Sequence, residues 1–161
     1  MVRRSAAVAC LALAVVAATA ACGSRAGSLT HAQYEKQLNE AGKNLSAQLG
    51  KVFASISGAT SVQDVKAAAG VIRQGAKVID GQADSLHELS PPQDAAAAND
   101  KLVGGLRELA SELRDFATAA EKLDVAKVRD FATKAQAQKL PGEVAVQAAL
   151  DQLKKAGYKI S

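Results

Sequence analysis

The sequence predicts an all-α protein, an antiparallel up-down four-helix bundle whose fourth helix is broken near Pro141. Three observations carry this. Apolar residues recur at spacings of three and four over long stretches. No run alternates with period two over the length of a strand. Aromatic residues make up only 3% of the chain, and Trp is absent, so a core must be built from Leu, Val, Ile and Ala. Such side chains suit closely packed helices better than strands, which favour β-branched and aromatic residues.

The helices follow in order. Thr30-x-x-Gln33 reads as a capping box, opening a stripe of Tyr34, Leu38, Ala41, Leu45, Leu49, Val52 or Phe53, and Ile56. Gly58 ends it, and Thr60-x-x-Gln63 offers a second box. In the second helix Val65, Ile72, Ile79 and Leu86 recur every seven residues, with Val62, Ala69, Ala76 and Ala83 at the other core position. A heptad repeat predicts left-handed, near-parallel packing, and alanine on one seam lets a neighbour come close. Ser90-Pro91-Pro92 stops this helix and starts the third, serine as cap and proline in the first turn.

The third stripe is Leu102, Leu106, Leu109, Leu113, Phe116, Ala120 and Leu123. Gly104-Gly105 inside it costs about 1 kcal/mol per glycine against alanine, which a tight helix crossing would explain better than a hinge. Asp124 caps a fourth segment with Val125, Val128, Ala132 and Ala135 inward. Leu140-Pro141-Gly142 breaks it, because the residue before proline is pushed out of the helical region. Val146, Leu150 and Leu153 form the last piece, closed by Gly157. Arg114-Asp-Phe-Ala-Thr118 recurs as Arg129-Asp-Phe-Ala-Thr133, a pseudo-symmetric hairpin whose flanks do not extend the repeat.

The amino terminus is of another kind. Arg3 and Arg4 precede seventeen uncharged residues, 5–21. A positive start, an apolar stretch and a small-residue exit describe an export signal. The stretch is shorter and richer in alanine than the roughly 20 residues of a spanning helix, although an uncleaved anchor is the alternative. The exit, Thr19-Ala20-Ala21-Cys22-Gly23-Ser24, resembles the lipobox of bacterial lipoproteins, with Thr19 in place of the usual Leu or Val. The resemblance implies a diacylglycerol on the Cys22 sulfur and cleavage that makes Cys22 the first mature residue; cleavage after Ala20, leaving a free thiol, is the competing reading. The domains expected are a signal at 1–21, a lipidated tether at 22–29 and a helical bundle at 30–161.

Leaving out residues 1–21 removes Cys10 and two arginines. It leaves one cysteine, unable to form an internal disulfide, and 18 Lys+Arg against 16 Asp+Glu, a net of +2. Charges of both signs alternate, a solvated helix surface and not a nucleic-acid footprint. The basic end at Lys154, Lys155 and Lys159 suits a helix C-terminus. Leu86-x-x-Leu89-x-Pro91-Pro92 followed by Ala98, Leu102, Leu106 and Leu109, with Gly157-Tyr158 near the end, resembles small uncharacterised lipoproteins of high-GC Gram-positive bacteria. That resemblance implies bundle shape and the extracytoplasmic face of the cell membrane, and carries over no activity.

No nucleophile elbow, phosphate loop, dinucleotide fingerprint or cysteine pair for zinc is present, so no catalytic residue, cofactor or metal site is expected. The chemistry-bearing residues share one bundle end: His31, Tyr34, Glu35, Asp84, His87 and Asn99. Asp84-x-x-His87 echoes half of a di-iron element, whose second copy is missing. Asn99 stands on the core stripe. His31, Asp84, His87 and Asn99 are therefore either a membrane-proximal site for a small polar ligand or metal, or a solvated end in which Asn99 sets helix register. An exported, lipid-held, non-enzymatic interaction module with an envelope protein partner is the expected function, a small-ligand binder or lipid carrier the alternative.

Overall fold

The computed structural model describes residues 27–57 and 62–160, excepting the side chains of Phe53, Ser55, Ile56, Ser57, Val62, Gln63 and Val65. The expected export signal, Cys22 and the expected second capping box lie outside the described residues. The described chain is all-α, in five helices: α1 (His31–Ser57), α2 (Val62–His87), α3 (Ala96–Glu121), α4 (Val125–Gln136) and α5 (Pro141–Lys155). None of them is long and apolar enough to cross a membrane.

Helix α3 is the hub. It packs on α2 and α5 extensively and on α4 lightly, while α1 packs on α2. Thirteen of its residues are buried, against none in α4. Cross-pairs set the directions. Arg107 meets Asp84 at 2.9 Å, Arg114 meets Asp80 and Arg73 meets Glu121, so α2 and α3 run antiparallel. The heptad seam of α2 is the middle of the core: Ile72, Ile79 and Leu86 with Ala69, Ala76 and Ala83 are at most 4% exposed.

Local signals account for most boundaries. The Thr30 hydroxyl accepts from the Gln33 N–H at 3.3 Å, and Gln33 Oε1 accepts from the Thr30 N–H at 2.9 Å, closing the first capping box. Asp124 Oδ1 caps α4 by accepting from the Lys127 N–H. Leu140 is extended (φ −65°, ψ 127°) and Pro141 opens α5, as the proline rule requires. After α5, Gly157 at φ +93° completes a Schellman motif: its N–H reaches the Lys154 carbonyl and the Tyr158 N–H reaches that of Leu153.

Three expectations need correction. Helix α3 begins at Ala96, not at the prolines; Pro92 is buried in the connecting turn and its carbonyl accepts from the Ala95 N–H at 2.9 Å. Leu123 is 46% exposed, because it is the left-handed residue (φ 54°) just after the Lys122 C-cap that ends α3. Val125 is 67% exposed and Ala132 is exposed, since α4 packs its backbone closely on α3 alone and has one narrow contact stripe of Val128, Phe131 and Ala135.

The glycine pair divides cleanly. A Cβ on Gly104 would meet nothing, whereas one on Gly105 would stand 2.8 Å from the Val146 backbone nitrogen. Opposite it, a Cβ on Gly142 would stand 2.7 Å from Leu109 Cα. Gly105 and Gly142 thus let α3 and α5 cross at backbone contact.

The five-residue repeat is structural and extends past its identical residues. In each copy the threonine hydroxyl donates to the arginine carbonyl, Thr118 to Arg114 and Thr133 to Arg129, both at 2.9 Å. Phe116 and Phe131 stack on each other, centroids 4.3 Å apart. Nine residues after each arginine comes a left-handed residue, Leu123 or Gln138, inside a Schellman turn.

Candidate functional site

At the end where α1 begins, Asn99 is 2% exposed and stands on the core face of α3. Its Oδ1 accepts from the Tyr34 hydroxyl at 2.8 Å and its Nδ2 donates to the Leu86 carbonyl at 3.1 Å. That carbonyl lies in the last turn of α2, where carbonyls lack helical partners. One side chain therefore ties α1, α2 and α3 together.

Tyr158 extends the network. Its ring stacks on His31, centroids 4.4 Å apart, and meets Tyr34 edge-on at 5.6 Å. Its hydroxyl donates to Asp94 Oδ1 at 2.9 Å. His31 Nε2 lies 3.0 Å from that hydroxyl and 3.1 Å from Asp94 Oδ2, a pair of contacts it satisfies as an N–H donor. Nearby, Glu35 Oε1 accepts from the Lys159 N–H, Asn39 Nδ2 donates to the Lys159 carbonyl, and the Leu29 N–H donates to the Ser90 carbonyl. Burial raises both phenols, Tyr158 additionally through its bond to Asp94; both stay protonated and are poor bases. The network is a clamp holding the amino-terminal turn, the α2–α3 connection and the carboxyl-terminal strand of chain.

Of the residues singled out from sequence, His31 and Asn99 belong to this clamp, with Tyr34 and Glu35. Asp84 and His87 are exposed. Asp84 faces α3 and pairs with Arg107. Among the described residues no three His, Cys, Asp or Glu side chains gather as metal ligands, so the metal reading has no donor set. Asp94 and Tyr158 were not anticipated as partners. The Gly157-Tyr158 pair carried a usable signal, because a Schellman turn places an apolar residue after its glycine back onto the helix.

The spaces enclosed between helices are small. One of about 140 Å³ lies beneath Leu49, Val52, Leu113 and Phe131, and another of about 80 Å³ beneath Leu38, Leu45, Leu106 and Leu150. Neither reaches the roughly 300 Å³ at which ligand pockets begin.

The α3–α4 side differs in kind. A cleft of about 360 Å³ opens between the two helices, floored by the Phe116–Phe131 stack and bordered by Leu140 and Pro141. Glu112 lines it. Its Oε1 faces the Gly142 N–H at 3.5 Å, while Oε2 is buried with no partner. Desolvation is the main reason its carboxyl titrates above the usual range, with Glu108 and Glu143 adding to the rise and the Gly142 N–H and Lys134 opposing it.

No protein-family model, curated protein or solved structure matches the chain.

Proposed function

We propose that this is an exported lipoprotein, held by a diacylglycerol on Cys22 at the extracytoplasmic face of the cell membrane. Its domain serves as a non-enzymatic binding module for an envelope protein partner. The helices form an up-down bundle of four, α4 and α5 together standing as the fourth. The amino-terminal signal pattern and the lone cysteine left after its removal support the anchor. Two acyl chains, at about 0.8 kcal/mol per buried methylene, hold a domain durably.

The observation that carries the reading is the position of the clamp. The chain enters the domain at Leu29, whose backbone is bonded to Ser90, beside the buried Tyr34–Asn99–Leu86 bonds. A pull on the tether meets three stapled segments instead of a frayed helix end. In an up-down bundle the α3–α4 turn, with exposed Leu123 and Val125, points away from the membrane toward a partner.

The test is Cys22→Ser with fractionation and mass spectrometry of the mature amino terminus. The reading predicts a diacylated Cys22 in the parent and release of a folded domain from the variant. A variant retained wholly in the membrane would instead identify residues 5–21 as an uncleaved anchor.

A further inference from the structure

Two carboxylates at the α3–α4 cleft have acceptor capacity to spare, while its lysines are paired with other acids. Lys134 pairs with Asp130 at 2.7 Å and Lys127 with Asp124 at 3.8 Å. Glu112 has only the long contact from the Gly142 N–H and an orphaned buried oxygen. Asp115, also lining the cleft, has no hydrogen-bond or ion-pair partner among the described residues. The stacked Phe116 and Phe131 also line the cleft. An orphaned buried carboxylate oxygen calls for a donor, and aromatic rings pack against apolar bodies.

We propose that the α3–α4 cleft binds a small amine carried on an apolar, ring-bearing body, its ammonium held by the Glu112 carboxylate and drawn by Asp115, its body against Phe116 and Phe131. The volume, about 360 Å³, falls in the lower range of small-molecule pockets. Access is easy, because α4 has no buried residue and its backbone lies close only to α3. A flat anionic or neutral molecule could use the ring faces but would leave the Glu112 oxygen unmatched or face two like charges. The site is independent of the anchor at Cys22.

The experiment is amide-resolved titration of the full chain with benzylamine, with benzyl alcohol and benzoate as neutral and anionic comparators. The expected result is saturable benzylamine shifts confined to residues 112–119, 127–134 and 140–143, with much weaker effects of both comparators. Glu112→Gln should weaken benzylamine about tenfold, the scale of one charge-assisted hydrogen bond. Asp115→Asn, an exposed change that leaves packing intact, should weaken it by a smaller factor. Affinity should also rise with pH as Glu112 ionises, below the amine's own titration. No saturable shift, equal affinity for benzylamine and benzyl alcohol, shifts centred on another region, or affinity unchanged in both variants would each overturn the proposal.

Discussion

The two ends of α3 carry polar groups in opposite states. At the end where α1 begins Asn99, Tyr34, Tyr158, Asp94 and His31 satisfy one another across three chain segments. Toward the far end Glu112 keeps a buried oxygen without a partner beside an open cleft. Both collect titratable side chains, so residue type alone does not separate them. Satisfaction does: a closed network stiffens a fold, whereas an unfilled valence beside an aromatic floor invites a ligand.

The comparison is broken most severely at Asn99. Asn99→Leu keeps the size but leaves the Tyr34 hydroxyl and the Leu86 carbonyl buried without partners, each at about 1–3 kcal/mol. Urea unfolding should show a loss of about 3 kcal/mol, and a loss under 1 kcal/mol would mean water replaces the amide. Gly142→Ala comes next. Its methyl would press on the Leu109 backbone, at an expected cost of about 2 kcal/mol, while Gly104→Ala, with open space around it, should gain about 0.5–1 kcal/mol. Thermal melts of the pair should therefore move in opposite directions.

Glu112 gives a smaller, pH-dependent effect. Its folded-state titration lies above its unfolded one, so its contribution to stability is complete below the ordinary glutamate range and is lost as pH rises through the raised value. The stability of Glu112→Gln relative to the parent should accordingly improve across that window and level off above it. A relative stability of Glu112→Gln that fell with rising pH would reverse the assignment. Smallest is the relief of left-handed strain: Gln138→Gly, at φ 52°, should stabilise α4 by about 0.5 kcal/mol, read from its amide exchange.

Where local chemistry decides the structure, the sequence was legible. The Thr30–Gln33 box, the Asp124 cap, the break at Pro141 and the α2 seam depend on neighbours within seven residues. Asn99 was visible as a polar residue on an apolar stripe at the same end as Tyr34, but their bond was not. Asp84 and His87 flank the buried seam positions Ala83 and Leu86 on the outward side of α2, a phase difference of one residue that sends Asp84 to Arg107 instead of His31. Asp94 and Tyr158, 64 residues apart, come from connections outside helical periodicity. Glu112 was hidden because its isolation depends on α5 crossing at Gly142, which only the tertiary fold supplies.

The difference between the ends is tested most directly by native-state hydrogen exchange on the full chain. A closed clamp predicts that amides of Tyr34, Asn99, Leu102 and Tyr158 exchange only through global unfolding. Those of α4, with no buried residue, should exchange through local opening at a far lower free energy. Protection in α4 equal to that around Asn99 would contradict the account.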